Sequence, residues 1–291
     1  MKPPKKTRES SDTDMKIIAI SRGTRYSPNH ISNDAAIFNR VVECLLQAGH
    51  EVCACDEEAF LQSYSGVSPV LVVTMARDTR TLERLMEWES QGIVIVNSPR
   101  GVLNCVRQPM TELLLKHGIP HPQSWILPTD TPLPEEIIFP CWIKRGDSHA
   151  LVKEDVCYAS TRDEAMHVVA EMKNRDILSV IVNKHLEGDL VKFYGVQGDT
   201  FFHWFYPSSL SHSKFGLETI NGEAKQIPFS PHQLKQCADE AARVLQVPVY
   251  GGDAVVSPDG SICIIDFNDW PSFAPCRDEA AKAIARYCTT L

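Results

Sequence analysis

The stretch from Gly251 to Asn268 constrains the chain most. Two short apolar runs, Ala254–Val256 and Ile262–Ile265, flank Ser257-Pro-Asp-Gly260, which is turn chemistry, so the segment reads as a β-hairpin. An antiparallel hairpin returns the chain on itself. Asp253, expected to open the first strand, therefore meets Asp266 and Asn268, which close the second. Asp266 and Asn268 are two residues apart and share one face of a strand. Three hard oxygen donors brought to one spot suit Mg²⁺, which takes few protein ligands and keeps water and phosphate oxygens. The plain alternative is a hairpin whose polar ends are solvated.

A chain of 291 residues is long for one core, so two or three subdomains are expected, and 43% apolar residues suffice to fill them. A net charge of −8 disfavours nucleic acid and anionic membrane as partners. No signal peptide or apolar run of membrane-spanning length is found, so a soluble, cytoplasmic protein is expected. The ten cysteines are scattered, mostly inside apolar runs, with no CxxC and no zinc spacing, which predicts reduced, buried thiols. Cys53 and Cys55 fall on one face of a strand, where bridging is geometrically poor.

Residues 1–14 hold no apolar residue after Met1 and read as a disordered tail. From Lys16 the pattern alternates. Strands are expected at 17–20, 51–55, 70–74 and 93–97, with helices at 33–47 and 79–90 between them. That repetition predicts a small parallel α/β sheet covered by helices. The loop after the first strand sits where such sheets bind ligands and lacks GxGxxG, so no dinucleotide is expected there. Its Arg22, Arg25 and Asn29 are candidates to hold an anionic acceptor.

Short helices follow at 98–107 and 109–117, and the proline-rich stretch 120–140 reads as a linker with a brief strand at Trp125. Cys141-Trp-Ile-Lys144 is a strand ending in a lysine. The polar loop Arg145–Leu151 after it could close over phosphates with its amides and that cation, although it is no Walker A loop. Thr161 with Glu164 forms a capping box for a helix to Lys173, and Ile177–Asn183 is a strand. Residues 190–196 and 200–206 form a hairpin in which Lys192 interrupts the apolar run, facing either a cleft or water. A polar flap over 207–229, a helix capped by Ser230 and a closing helix after 276 complete the chain.

In their order and spacing these pieces resemble the ATP-grasp enzymes over roughly residues 15–276. The parts that carry the likeness are the small α/β domain, Ser98-Pro with Arg107, the His-Gly-Ile-Pro120 helix end, strand-end Lys144, the hinge strand and the Asp253…Asp266-x-Asn268 hairpin. The resemblance implies an α/β (α+β) ATP-grasp fold: a Rossmann-like N-terminal domain (15–98), then two α+β subdomains (99–180 and 181–291) that sandwich ATP. It implies that Arg107 and Lys144 contact the nucleotide and that Asn183, Lys184, His185 and Leu186 form the adenine-facing hinge. Glu187 or Asp189 would lie near the ribose. Asp253, Asp266 and Asn268 would hold one or two Mg²⁺ ions, with Mn²⁺ as a substitute. Asp rather than Glu at 266 and a glycine-poor phosphate loop depart from many members.

Gly146-Asp-Ser-His149 and Val191-Lys192-Phe-Tyr are similar to segments of the inositol-phosphate kinases within that superfamily. The expected reaction is transfer of the γ-phosphoryl group to a small anionic acceptor, with Lys144, His149 and Lys192 as catalytic residues, in a monomer or a homodimer. A ligase that makes an acyl phosphate is the alternative. It needs an arginine aimed at a developing oxyanion, and between Val191 and Gly252 the only arginine is Arg243, inside a helix. A kinase needs no such group.

Overall fold

The computed structural model describes residues 15–27, 30–64, 69–207, 220 and 222–291. The expected tail (1–14), Asn29 and most of the expected flap lie outside them.

The N-terminal part alternates as its periodicity demands. Strands β1 (Lys16–Ser21), β2 (Glu51–Asp56), β3 (Leu71–Thr74) and β4 (Val94–Val96) pair in parallel in the order β2-β1-β3-β4. Helices α1 (Ile31–Gln47), α2 (Glu57–Ser63) and α3 (Thr79–Ser90) join them. Both faces of β1 are apolar because both are covered. Ile17 and Ala19 pack with Ile37, Val41 and Leu45 of α1, while Ile18 and Ile20 pack with Phe60, Leu85 and Trp88 on the other side. The sequence reading passed over α2. It has only seven residues, too few to show a stripe, but Asp56 caps it by accepting from the Ala59 N–H at 2.8 Å.

Two further short helices, α4 (Pro99–Asn104) and α5 (Arg107–Lys116), lead to two antiparallel sheets, and Arg107 opens α5. The first sheet contains β5 (Ser124–Pro128), β6 (Cys141–Arg145), β7 (Val156–Ala159) and β8 (Ser179–Lys184) in the order β5-β8-β6-β7, backed by α6 (Arg162–Asn174). The second contains β9 (Asp189–Val196), β10 (Phe202–Phe205), β11 (Val249–Val256) and β12 (Ile262–Asp269) in the order β10-β9-β11-β12. Helix α7 (Pro231–Leu245), capped by Ser230, covers it through Leu234, Ala238 and Leu245. The closing helix α8 (Arg277–Thr289) returns to the N-terminal sheet, where Ala280 and Ile284 join the core under α1.

The 251–268 hairpin forms, with one correction. β11 begins at Val249, so Asp253 sits mid-strand, directly opposite Asp266, rather than at its opening. All ten cysteines are free, but only Cys44, Cys105, Cys141, Cys276 and Cys288 are buried, and Cys53 is exposed. Among the described residues no helix is long and apolar enough to cross a membrane.

Candidate active site

The two antiparallel sheets and the C-terminal ends of β1 and β3 enclose a cleft of about 320 Å³, within the usual size of small-ligand pockets. Pairing across β9, β11 and β12 puts Lys192, Asp253 and Asp266 in one cross-strand row, and Tyr194, Gly251 and Asn268 in the next on the same face. Burial alternates along β9, so Val191 and Phe193 go to the core while Leu190, Lys192 and Tyr194 line the cleft. Gly251 keeps this floor open, and Gly252, facing the core side, leaves room for the Phe193 ring and the close approach of β12. A methyl group on Gly252 would sit 2.5 Å from the Asp266 carbonyl oxygen, and one on Gly251 would sit 2.7 Å from the Tyr194 ring.

The charges in these rows are paired. Lys192 Nζ donates to Asp253 Oδ1 at 2.9 Å, and Arg107 Nη2 donates to Asp266 Oδ2 at 3.2 Å. Burial alone would raise the Asp266 carboxyl, but Arg107, Lys144 and Lys192 together hold it below the usual carboxylate range. Lys144 reaches from β6 across to the other sheet, donating to the Ile265 carbonyl at 2.9 Å. Burial, then Arg107, lowers its pKa to about 8. Behind it, His121 donates from Nδ1 to the Ile264 carbonyl at 2.7 Å, and burial brings it down to about 4, so it is neutral at pH 7.

The carboxamide of Asn268 makes no hydrogen bond among the described residues. No three His, Cys, Asp or Glu side chains gather anywhere among them, so a metal here depends on Asn268 as third donor. Two carboxylates and a carboxamide, all oxygen and within reach of phosphate-type cations, fit a hard divalent ion such as Mg²⁺.

At the other end of the cleft, Ser124, Asn183, Trp142 and Tyr158 form a cross-strand row over β5, β8, β6 and β7. Asn183 Nδ2 donates to Ser124 Oγ at 2.7 Å. The Trp142 indole N–H donates to His185 Nδ1 at 3.1 Å, which leaves the imidazole proton on Nε2, and burial lowers the His185 pKa. Lys184 and Leu186 also line this end. It is an aromatic surface bordered by strand-end backbone, suited to a planar base.

The third wall comes from the N-terminal sheet. Arg22 follows β1, Arg77 follows β3, and both meet Asp269 at the end of β12. Arg22 also donates to Asp34 at 3.1 Å and to the carbonyls of Met75 and Trp270. His149 sits here with Nε2 3.7 Å from Asp269 Oδ1.

The cleft thus gathers Lys144, His149 and Lys192, the four hinge residues, Arg107, Arg22 and the three metal candidates. Four expectations differ from what the structure places. Arg25 is exposed and paired with Asp78 instead of facing the cleft. Glu187 is exposed and does not line it. Asp189 is buried, and its two oxygens accept the backbone N–H groups of Lys225 and Ile227, both at 2.7 Å, so it braces a loop and has no oxygen directed at the cleft. Arg22 reaches the cleft, but its Nε, Nη1 and Nη2 are all taken up by protein acceptors, so it is not the acceptor clamp expected of it. The sequence reading missed Arg77, Asp269 and Trp142. The strand-end rule that singled out the Arg22 loop applies equally to the loop after β3, and it would have found Arg77.

Two facing antiparallel sheets behind a parallel α/β domain, with such a cleft between them, form the ATP-grasp fold. Solved structures share it along nearly the whole chain. The ATP-grasp ligase PsnB matches with a TM-score of 0.63 at 17% identity, covering 95% of this chain and 99% of that one. D-alanine–D-alanine ligase from Bacillus anthracis matches with a TM-score of 0.67 at 13% identity, covering 95% and 97%. A RimK-domain ATP-grasp protein from Sphaerobacter thermophilus matches with a TM-score of 0.64 at 15% identity, covering 94% and 99%. No protein-family model and no curated protein matches the chain.

Proposed function

We infer that the chain is an ATP- and Mg²⁺-dependent ligase that activates a carboxylate as its acyl phosphate and passes the acyl group to an amine or thiol. The observation that carries this reading is the gathering of Lys144, Arg107 and Lys192 with Asp253 and Asp266 in one cleft that also has an arginine-bearing wall. Two of the solved structures reported above, PsnB and D-alanine–D-alanine ligase, bear ligase names, and some of that fold were solved with ATP or with Mg and ADP. The expectation of a kinase drew on the resemblance of Gly146-Asp-Ser-His149 and Val191-Lys192-Phe-Tyr to inositol-phosphate kinases and on a missing arginine between Val191 and Gly252. The second ground lapses, because the cleft draws its arginines from outside that segment, at 22, 77 and 107.

In this reading Trp142, Asn183 and the strand end at Lys184–Leu186 receive the adenine, and Lys144 with Lys192 meets the phosphates. Asp253, Asp266 and Asn268 would hold Mg²⁺, which when bound neutralises charge on the phosphates. Lys192 and Arg107, now paired with the two carboxylates, are then released from part of that duty and turn toward phosphate oxygens. The acceptor is a small molecule whose reacting group is a carboxylate. The test supplies hydroxylamine as the amine: Mg-ATP is offered with the common L-amino acids, D-alanine and simple organic acids, and ADP and hydroxamate are measured. Hydroxamate formed in step with ADP supports the ligase. Phosphate found on the acceptor, with no hydroxamate, overturns it.

A further inference from the structure

Resting on that reading, we propose that Arg77 is the catalytic residue that binds the carboxyl oxygen on which negative charge builds during acyl transfer.

Acyl transfer has a fixed charge path. A carboxylate oxygen takes the γ-phosphoryl group and ADP leaves. The amine nitrogen then attacks the acyl carbon and gives up a proton, the carbon–oxygen bond to phosphate breaks, and inorganic phosphate departs. Between these steps the remaining acyl oxygen carries the charge, and a pre-placed cation there lowers the barrier. The other cations of the cleft have other work: in the reading above Lys144, Lys192 and Arg107 turn to the phosphates, and Arg22 donates to five protein acceptors.

Arg77 spends Nε and Nη2 on Asp269, with Nη2 also donating to the Asp269 carbonyl at 3.5 Å. Nε donates to Asp269 Oδ2 at 3.3 Å and Nη2 to Asp269 Oδ1 at 2.5 Å, so the carboxylate takes the Nε–Nη2 side of the fork. Nη1 has no hydrogen-bond partner among the described residues, and the residue lines the cleft. Nη1 is then the donor left for an entering carboxyl oxygen, a charge-assisted hydrogen bond from a guanidinium that keeps its proton.

The placement is rigid at both ends of the residue. Asp269, 1% exposed, fixes the side chain from the strand that also carries Asp266 and Asn268. Glu57, at the start of α2, fixes the backbone. Its Oε1 accepts from Arg77 N at 3.4 Å and from Gly23 N at 2.7 Å, and its Oε2 accepts from Asp78 N at 2.7 Å. Donors held before the reaction need no reorganisation during it, which is what makes such a cation effective.

Arg77→Gln and Arg77→Lys test the assignment, with the hydroxylamine assay above and calorimetric titration of ADP with Mg²⁺. Arg77→Gln is expected to lower kcat for hydroxamate by about 100- to 1,000-fold, with ADP affinity and KM for ATP within about twofold of the parent. Arg77→Lys keeps the charge and the link to Asp269 but not the fork, and should restore a minor part of kcat. It also covers the case in which the Gln variant does not fold. A kcat within threefold of the parent in either variant, or a loss of ADP affinity equal to the loss of kcat, overturns the role. A parent protein that forms no hydroxamate with any acid overturns the ligase reading itself, and this assignment with it.

Discussion

Lys144 is a buried cation whose charge is held at a cost. Burial and Arg107 both favour its neutral form and bring its pKa to about 8. Phosphate oxygens would reverse that balance by favouring the ammonium. The protonated form binds phosphate, so Mg-ATP affinity should fall as pH rises through about 8. In Lys144→Arg that limb of the profile should be absent, because a guanidinium keeps its proton there. Titration of ATP from pH 6.5 to 9.5 reads this directly, and a flat profile in the parent would remove Lys144 from the phosphates. Asp266 makes a second residue-scale prediction. Asp266→Asn keeps the shape but gives up the charge that pairs with Arg107, so Mg²⁺-dependent ADP release should drop to background while the unfolding temperature changes little. Unchanged release would take the metal away from this carboxylate. Lys144 and Asp266, which both line the cleft, stand out in the sequence because each follows a short apolar run. Arg77 does not, because its partner Asp269 lies 192 residues away and only the fold brings the two together.

The elements were legible in proportion to how local their signals are. The 251–268 hairpin declares itself through a turn between two apolar runs, and α1, α3 and α7 through stripes with caps. Sheet order is not local. Nothing in the sequence says that β9 pairs with β11 so that Lys192 faces Asp253, and that pairing is what builds the charged row. The same strand contact makes Gly252 indispensable. A methyl group there would meet the Asp266 carbonyl oxygen and the Phe193 ring, both at 2.5 Å, and backbone cannot yield as a side chain tip can. Gly252→Ala should cost about 1–3 kcal/mol of stability and weaken nucleotide binding, read by thermal melts with and without Mg-ADP. A variant as stable as the parent would mean that β11 and β12 can separate without harm to the site.

At the scale of the whole molecule, three sheets contribute one wall each to a single cleft, and the N-terminal sheet is tied in by charge. Arg22 and Arg77 reach from the ends of β1 and β3 to Asp269, while α8 returns from the far end of the chain to pack under α1. The order of the pieces along the chain was enough to read the fold class. The arginines of the cleft were not legible in the same way, because Arg22, Arg77 and Arg107 lie far from the metal hairpin in the chain and only the fold brings them to it. The most direct test follows the oxygen atoms of the acid identified by the hydroxamate screen, labelled with ¹⁸O in its carboxylate. A ligase that passes through an acyl phosphate moves one of those oxygens to the departing phosphate, so mass spectrometry should find inorganic phosphate carrying a single ¹⁸O for each ADP formed. Phosphate free of label, or γ-phosphate retained on the acceptor, would contradict the account.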